Sequence, residues 1–99
     1  VEAPTRTCTP GATVAVGCNA MCAPPIGLCV GDPMIRVCEG AAPCEGTRAL
    51  AQNDDSCAPD GGRNVCSSLT FTCPASGRYT ILTGAYRAGG AYECHLEAR

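Results

Sequence analysis

With 99 residues and only four aromatic side chains (Phe71, Tyr79, Tyr86 and Tyr92, no Trp), the chain suffices for one domain but not for a large apolar core. Its net charge of −2 is spread over scattered side chains, with seven Arg and no Lys, which excludes a basic stripe for nucleic acid and a polybasic membrane patch. No apolar run approaches the roughly 18 residues of a membrane-spanning helix.

Ten cysteines stand out: Cys8, Cys18, Cys22, Cys29, Cys38, Cys44, Cys57, Cys66, Cys73 and Cys94. Their number is even and their density is that of a disulfide scaffold, which persists only in an oxidising compartment. Zinc is the rival ligand, yet Cys18 and Cys22 form the one close pair and His95 is the sole histidine. Disulfides at about 2–5 kcal/mol each are the natural supplement to so thin a core. The first residue is Val1, with no charged start and apolar stretch after it, so a mature secreted product that has lost its signal peptide is expected, extracellular or on the cell surface.

Taken in order, residues 13–16 follow the Pro10-Gly11 turn as a short strand and stop at Gly17. Residues 17–32 carry three cysteines and Pro24-Pro25, which predicts a disulfide-pinned loop around a short strand at 26–30. Residues 33–38 alternate and form the next strand. A shorter one at 48–51 ends in Asn53-Asp54-Asp55, and Pro59-Asp60-Gly61-Gly62 is a turn. Residues 68–73 give the clearest strand: Leu69, Phe71 and Cys73 face one side, Ser68, Thr70 and Thr72 the other. Ser76-Gly77 turns the chain into a strand at 78–83. The last strand, 91–97, sends Tyr92, Cys94 and Leu96 inward and Glu93, His95 and Glu97 outward. No apolar stripe is long enough for a helix. The expectation is a single all-β domain over residues 1–99, a small disulfide-rich β-sandwich of about six to eight short strands.

The second half also carries a series of turn and strand motifs. They are Asp32-Pro33-Met34-Ile35-Arg36-Val37, Leu50-Ala51-Gln52-Asn53-Asp54-Asp55, residues 69–80 running through Cys73-Pro74 and Gly77-Arg78-Tyr79-Thr80, then Gly84-Ala85-Tyr86 and Gly90-Ala91-Tyr92. In this order they resemble the bacterial pre-peptidase C-terminal domain, a secreted accessory domain. The resemblance spans about residues 32–97, with residues 10–14 as the counterpart of the family's opening strand. It implies a jelly-roll-like sandwich and, for some members, bound calcium. The cysteine content departs from the family, most of whose members have few disulfides.

Three groups are candidates for chemistry. Asp32, Asn53, Asp54 and Asp55 form a candidate calcium set, because hard cations take clustered oxygens; the competing reading is a turn, in which Asx side chains bond nearby amides. No other cofactor is expected. His95 is the single available base, and it is placed on an outward face between two carboxylates, so catalysis is not expected. Sugar binding needs an exposed aromatic platform, for which Tyr86, and less so Tyr79, are the candidates. The neutral row Ser68, Thr70 and Thr72 suits strand-to-strand pairing with another chain. Together these favour a non-enzymatic extracellular structural protein, a subunit of a filament or layer that self-associates or binds a matrix or surface partner. The alternative is a carbohydrate- or protein-binding accessory module. For the disulfides, Cys18–Cys22 and Cys38 with Cys44 or Cys57 are the expected pairings, and Cys73–Cys94 follows if their two strands are neighbours.

Overall fold

Alternating side chains and frequent turn residues leave this chain little but β-structure to form. A computed structural model of the protein describes residues 5–53, 66–85 and 90–99, with Asn53 described by its backbone alone. Asp54, Asp55, Cys57, Tyr86 and the turn at 59–62 lie outside the described residues. Among the described residues nine strands run in the order β1 (Thr5–Thr7), β2 (Thr13–Gly17), β3 (Leu28–Gly31), β4 (Pro33–Glu39), β5 (Ala51–Asn53), β6 (Ser68–Thr72), β7 (Arg78–Ala85), β8 (Tyr92–His95) and β9 (Glu97–Ala98). They form a four-stranded sheet β1-β7-β4-β5, a three-stranded sheet β6-β2-β9 and a two-stranded ribbon β3-β8, every pair antiparallel. Of consecutive strands only β4 and β5 share a sheet, so the chain crosses the sandwich at almost every step.

The two larger sheets bury one row each. Val14, Val16 and Phe71 come from β2 and β6, and Ile35, Val37, Tyr79 and Ile81 from β4 and β7. Phe71 and Tyr79 meet edge to face between the sheets, ring centroids 5.0 Å apart at 67°, a geometry favoured by the ring quadrupoles. The expected inward face of β6 is the one observed: Phe71 and Cys73 are buried and Leu69 half-buried, with Thr70 and Thr72 exposed.

Several expectations need correction. Residues 46–48 form a 3-10 turn, and the strand expected at 48–51 begins only at Ala51. The strand expected at 26–30 begins at Leu28, because Ile26 is engaged in a bridge to Asn19. The last strand is two: β8 pairs with β3, and β9, beyond Leu96, pairs with β2. β1 was not foreseen, since Thr5-Arg6-Thr7 has no apolar alternation and is recruited by backbone pairing to β7.

Of the expected disulfides, Cys38–Cys44 forms and the other two do not. Cys18 bonds Cys94, Cys8 bonds Cys73, Cys29 bonds Cys66 and Cys38 bonds Cys44, so Cys18–Cys22 and Cys73–Cys94 do not form. Sheet register explains this. Cys73 follows the end of β6 that lies against Thr13, whereas Cys18 follows the opposite end of β2, about 17 Å along a five-residue strand. Cys94 sits at the Cys18 end and cannot serve Cys73. Cys18 is itself fully buried and turned toward the core, while Cys22, also disulfide-bonded, lies further along the loop, its Sγ 3.3 Å from Ser68 Oγ. Asn19 organises that loop from inside. Its fully buried amide donates to the Cys66 carbonyl at 3.2 Å and accepts from the Met21 N–H at 3.0 Å.

The span each bridge closes ranks its worth. Cys8–Cys73 joins residues 65 apart and Cys38–Cys44 residues 6 apart; chain entropy alone assigns them about 4 and about 2 kcal/mol. Urea denaturation of the two double Cys→Ala variants is expected to show the larger loss for Cys8/Cys73; equal losses would contradict this ranking.

Candidate functional site

The ribbon β3-β8 is where the chain presents its most unusual surface. Glycines set its ends. Gly27 and Gly31 both have positive φ, 69° and 83°, and a Cβ on Gly27 would stand 2.2 Å from the His95 carbonyl oxygen. Only glycine fits so close to the partner strand. Between them the register pairs Leu28 with His95, Cys29 with Cys94 and Val30 with Glu93.

Directly paired residues share a face, so Cys29 and Cys94 stand side by side on the ribbon's inner face. Each is bonded away from the other, Cys94 to Cys18 just after β2 and Cys29 to Cys66 just before β6. Those two anchor points adjoin, for the Cys18 N–H donates to the Ser67 carbonyl at 2.9 Å. The two disulfides therefore clamp one face of the ribbon to one end of the three-stranded sheet. The other face is left to Leu28 and Val30 beside His95 and Glu93. Leu28 is 48% exposed and Val30 57%. β3 pairs with β8 alone, so its second edge is open among the described residues.

A polar clasp closes the base of the ribbon. Glu97 accepts the Gly27 N–H at 3.2 Å and pairs with Arg99 Nε at 2.5 Å; Arg99 also donates to the Pro25 carbonyl. The Arg99 hydrogen bond first, and the Gly27 amide second, hold the Glu97 carboxyl below its ordinary range. Glu97 is thus half-buried and turned to Gly27 instead of outward.

The described residues among those singled out from sequence are dispersed. Asp32 lies between β3 and β4, half-buried, with Oδ1 out of solvent and without a hydrogen-bond partner. Asn53 ends β5 opposite Ile35, three residues along β4 from Asp32 and so about 10 Å away by strand rise. Among the described residues no group of three His, Cys, Asp or Glu is placed to hold a metal ion. His95 is exposed, with Glu93 Oε2 at 3.8 Å and without the expected second carboxylate, since Glu97 faces the clasp. Tyr79 is buried and offers no platform. Tyr92 is half-buried, its hydroxyl 3.2 Å from Thr83 Oγ1. Of the neutral row, Thr70 and Thr72 are exposed and Ser68 is half-buried. Leu28 and Val30 were missed. Their signal was available: in Leu28-Cys29-Val30, an inward, bonded cysteine forces both neighbours outward.

Among the described residues no helix is long and apolar enough to cross a membrane. Compared with known proteins, the chain matches no family model, no curated protein and no solved structure.

Two outcomes follow from this geometry. Gly27→Ala forces both a clash with the His95 carbonyl and an unfavourable φ, and is expected to cost about 1–3 kcal/mol in denaturant unfolding. A lowered carboxyl pKa stabilises the fold above the unfolded-state value, and that contribution is lost as pH falls through the folded-state value. Unfolding measured from neutral pH down past the ordinary carboxylate range should accordingly lose less stability in Glu97→Gln than in the native protein; parallel losses would remove Glu97 from the clasp.

Proposed function

We propose that this chain is a non-enzymatic structural protein of the cell exterior, a subunit of a secreted or surface assembly built by strand-to-strand contact between β-sandwiches. The observation carrying this reading is the edge of β3, open among the described residues, with its exposed Leu28 and Val30. An apolar edge strand without Lys, Pro or an inward charge is a template for another strand. The density of disulfides supports an oxidising location.

The occupant best suited to the edge is a second copy of β3. Antiparallel pairing centred on Cys29 sets Leu28 of each copy beside Val30 of the other, on the same face, and gathers four apolar side chains into one patch. Residues 28–31 hold no charge, so no like charges meet. Glu93 and His95 lie on the outer strands of the resulting four-stranded sheet, three strand spacings or about 14 Å from their counterparts, beyond the screening length of about 8–10 Å. The pairing also enlarges a two-stranded ribbon, the least stable form of sheet. Such a contact is two-fold and closes on itself. Growth into a filament or layer uses a further edge, and β6 with its exposed Thr70 and Thr72 is a neutral one.

Sedimentation velocity over a concentration series tests this. The native protein is expected to self-associate. The double substitution Leu28→Lys and Val30→Lys, at exposed positions that leave the core intact, removes about 1 kcal/mol of burial at each of the four side chains in the patch and weakens association roughly a thousandfold. A native protein that stays monomeric at the highest concentrations would overturn the assembly reading and favour the accessory module.

A further inference from the structure

A second feature lies on the opposite flank, beside β1. This is the edge strand of the four-stranded sheet, and its Arg6 pairs in register with Tyr79. Paired residues share a face, so Arg6 points as Tyr79 does, between the sheets. There it lines a cleft of about 570 Å³ whose buried residues are Val14 and Tyr79, with Thr9, Thr13 and Ala98 around them. Its backbone walls are fixed. The Cys8–Cys73 disulfide ties the end of β1 to β6, the Cys8 N–H donates to the Gly77 carbonyl at 2.9 Å, and Arg99 exchanges backbone hydrogen bonds with Ala15.

Arg6 Nε is out of solvent and has no hydrogen-bond acceptor among the described residues. The carboxylates that form ion pairs among the described residues are committed elsewhere: Glu97 to Arg99 and Gly27, and Glu93 beside His95 on the ribbon. Buried donors in native proteins almost always have an acceptor, and a guanidinium is the most demanding donor of all. An inward charge on an edge strand does hinder strand addition. That role asks for a charge alone, and explains neither a donor buried without an acceptor nor a cleft of this size beside it.

We propose that the cleft is a binding site for a small carboxylate-bearing ligand, with Arg6 taking the carboxylate through its planar fork. Guanidinium and carboxylate match in bidentate geometry. Arg99, the other cation lining the cleft, is already engaged with Glu97 and the Pro25 carbonyl, so among the described residues the site offers one uncommitted cation and takes one carboxylate group of its ligand. Threonine hydroxyls at the rim suit a polar body, and the volume is that of ordinary small-molecule sites. The carboxylate's carrier is an acidic sugar or an acidic amino acid. This site is on a different sheet from β3 and holds independently of self-association.

The test follows the Nε–Hε resonance of Arg6 in the intact, oxidised protein by heteronuclear NMR, at a protein concentration where one species is present. Glucuronate, N-acetylglutamate and glucose are the three probes. The Arg6 signal is expected to shift saturably with at least one of the two carboxylates and not with glucose. Saturation by glucuronate alone assigns the carrier as an acidic sugar; saturation by N-acetylglutamate, alone or equally, extends it to acidic amino acids. Arg6→Gln should weaken binding roughly tenfold or more, with Arg6→Lys recovering part of it. No movement of the Arg6 signal at tens of millimolar probe, or equal movement with glucose, would overturn the proposal whether or not either variant folds.

Discussion

The structure depends on where its disulfides attach. A core of seven large apolar side chains from β2, β4, β6 and β7 holds the two main sheets together, but the β3-β8 ribbon contributes almost nothing to it. Its inward residues at the centre are Cys29 and Cys94, and their bonds to Cys66 and Cys18 are what fasten it. A free two-stranded ribbon is marginal in water. Here two covalent links, rooted at adjoining residues of one sheet end, replace the apolar contacts that such a ribbon normally needs.

That substitution has a consequence for the surface. When the inner face of a strand is occupied by sulfur, its other apolar residues are free to point outward, and Leu28 and Val30 do so. Of the other edge strands, β1 and β9 are only two or three residues long, β1 turns Arg6 inward, and β6 carries the polar Thr70 and Thr72 instead of an apolar pair. The open, apolar edge is the one made rigid by disulfides. Rigidity matters for pairing, because an edge already held in strand geometry loses little conformational freedom when a second copy adds to it.

Much of this fold was legible in the sequence. The strands at 13–16, 33–38, 68–73 and 78–83 were readable because each alternates over a clear turn boundary, as Leu69, Phe71 and Cys73 do against Thr70 and Thr72. What was not legible depends on distant partners. Thr5-Arg6-Thr7 becomes a strand only because β7 has an unpaired edge, and Glu97 turns inward only because the Gly27 amide and Arg99 wait for it. Disulfide pairing belongs to the same class: Cys22 is four residues from Cys18 in the chain, yet Cys18 bonds a residue 76 positions away. Asp32 was singled out for its oxygens, and one of them is indeed buried, but its proposed companion Asn53 lies about 10 Å along the sheet by strand rise.

The central claim is that the clamped ribbon exposes β3 as a strand ready to receive its own copy. Backbone hydrogen exchange, measured residue by residue at low and high protein concentration, addresses it most directly. If the account is right, amides of β3 on the side away from β8 gain protection as concentration rises, while amides on the outer edges of β1 and β5 exchange at unchanged rates. Exchange at β3 that is the same at every concentration, or protection that appears first at another edge, would contradict it.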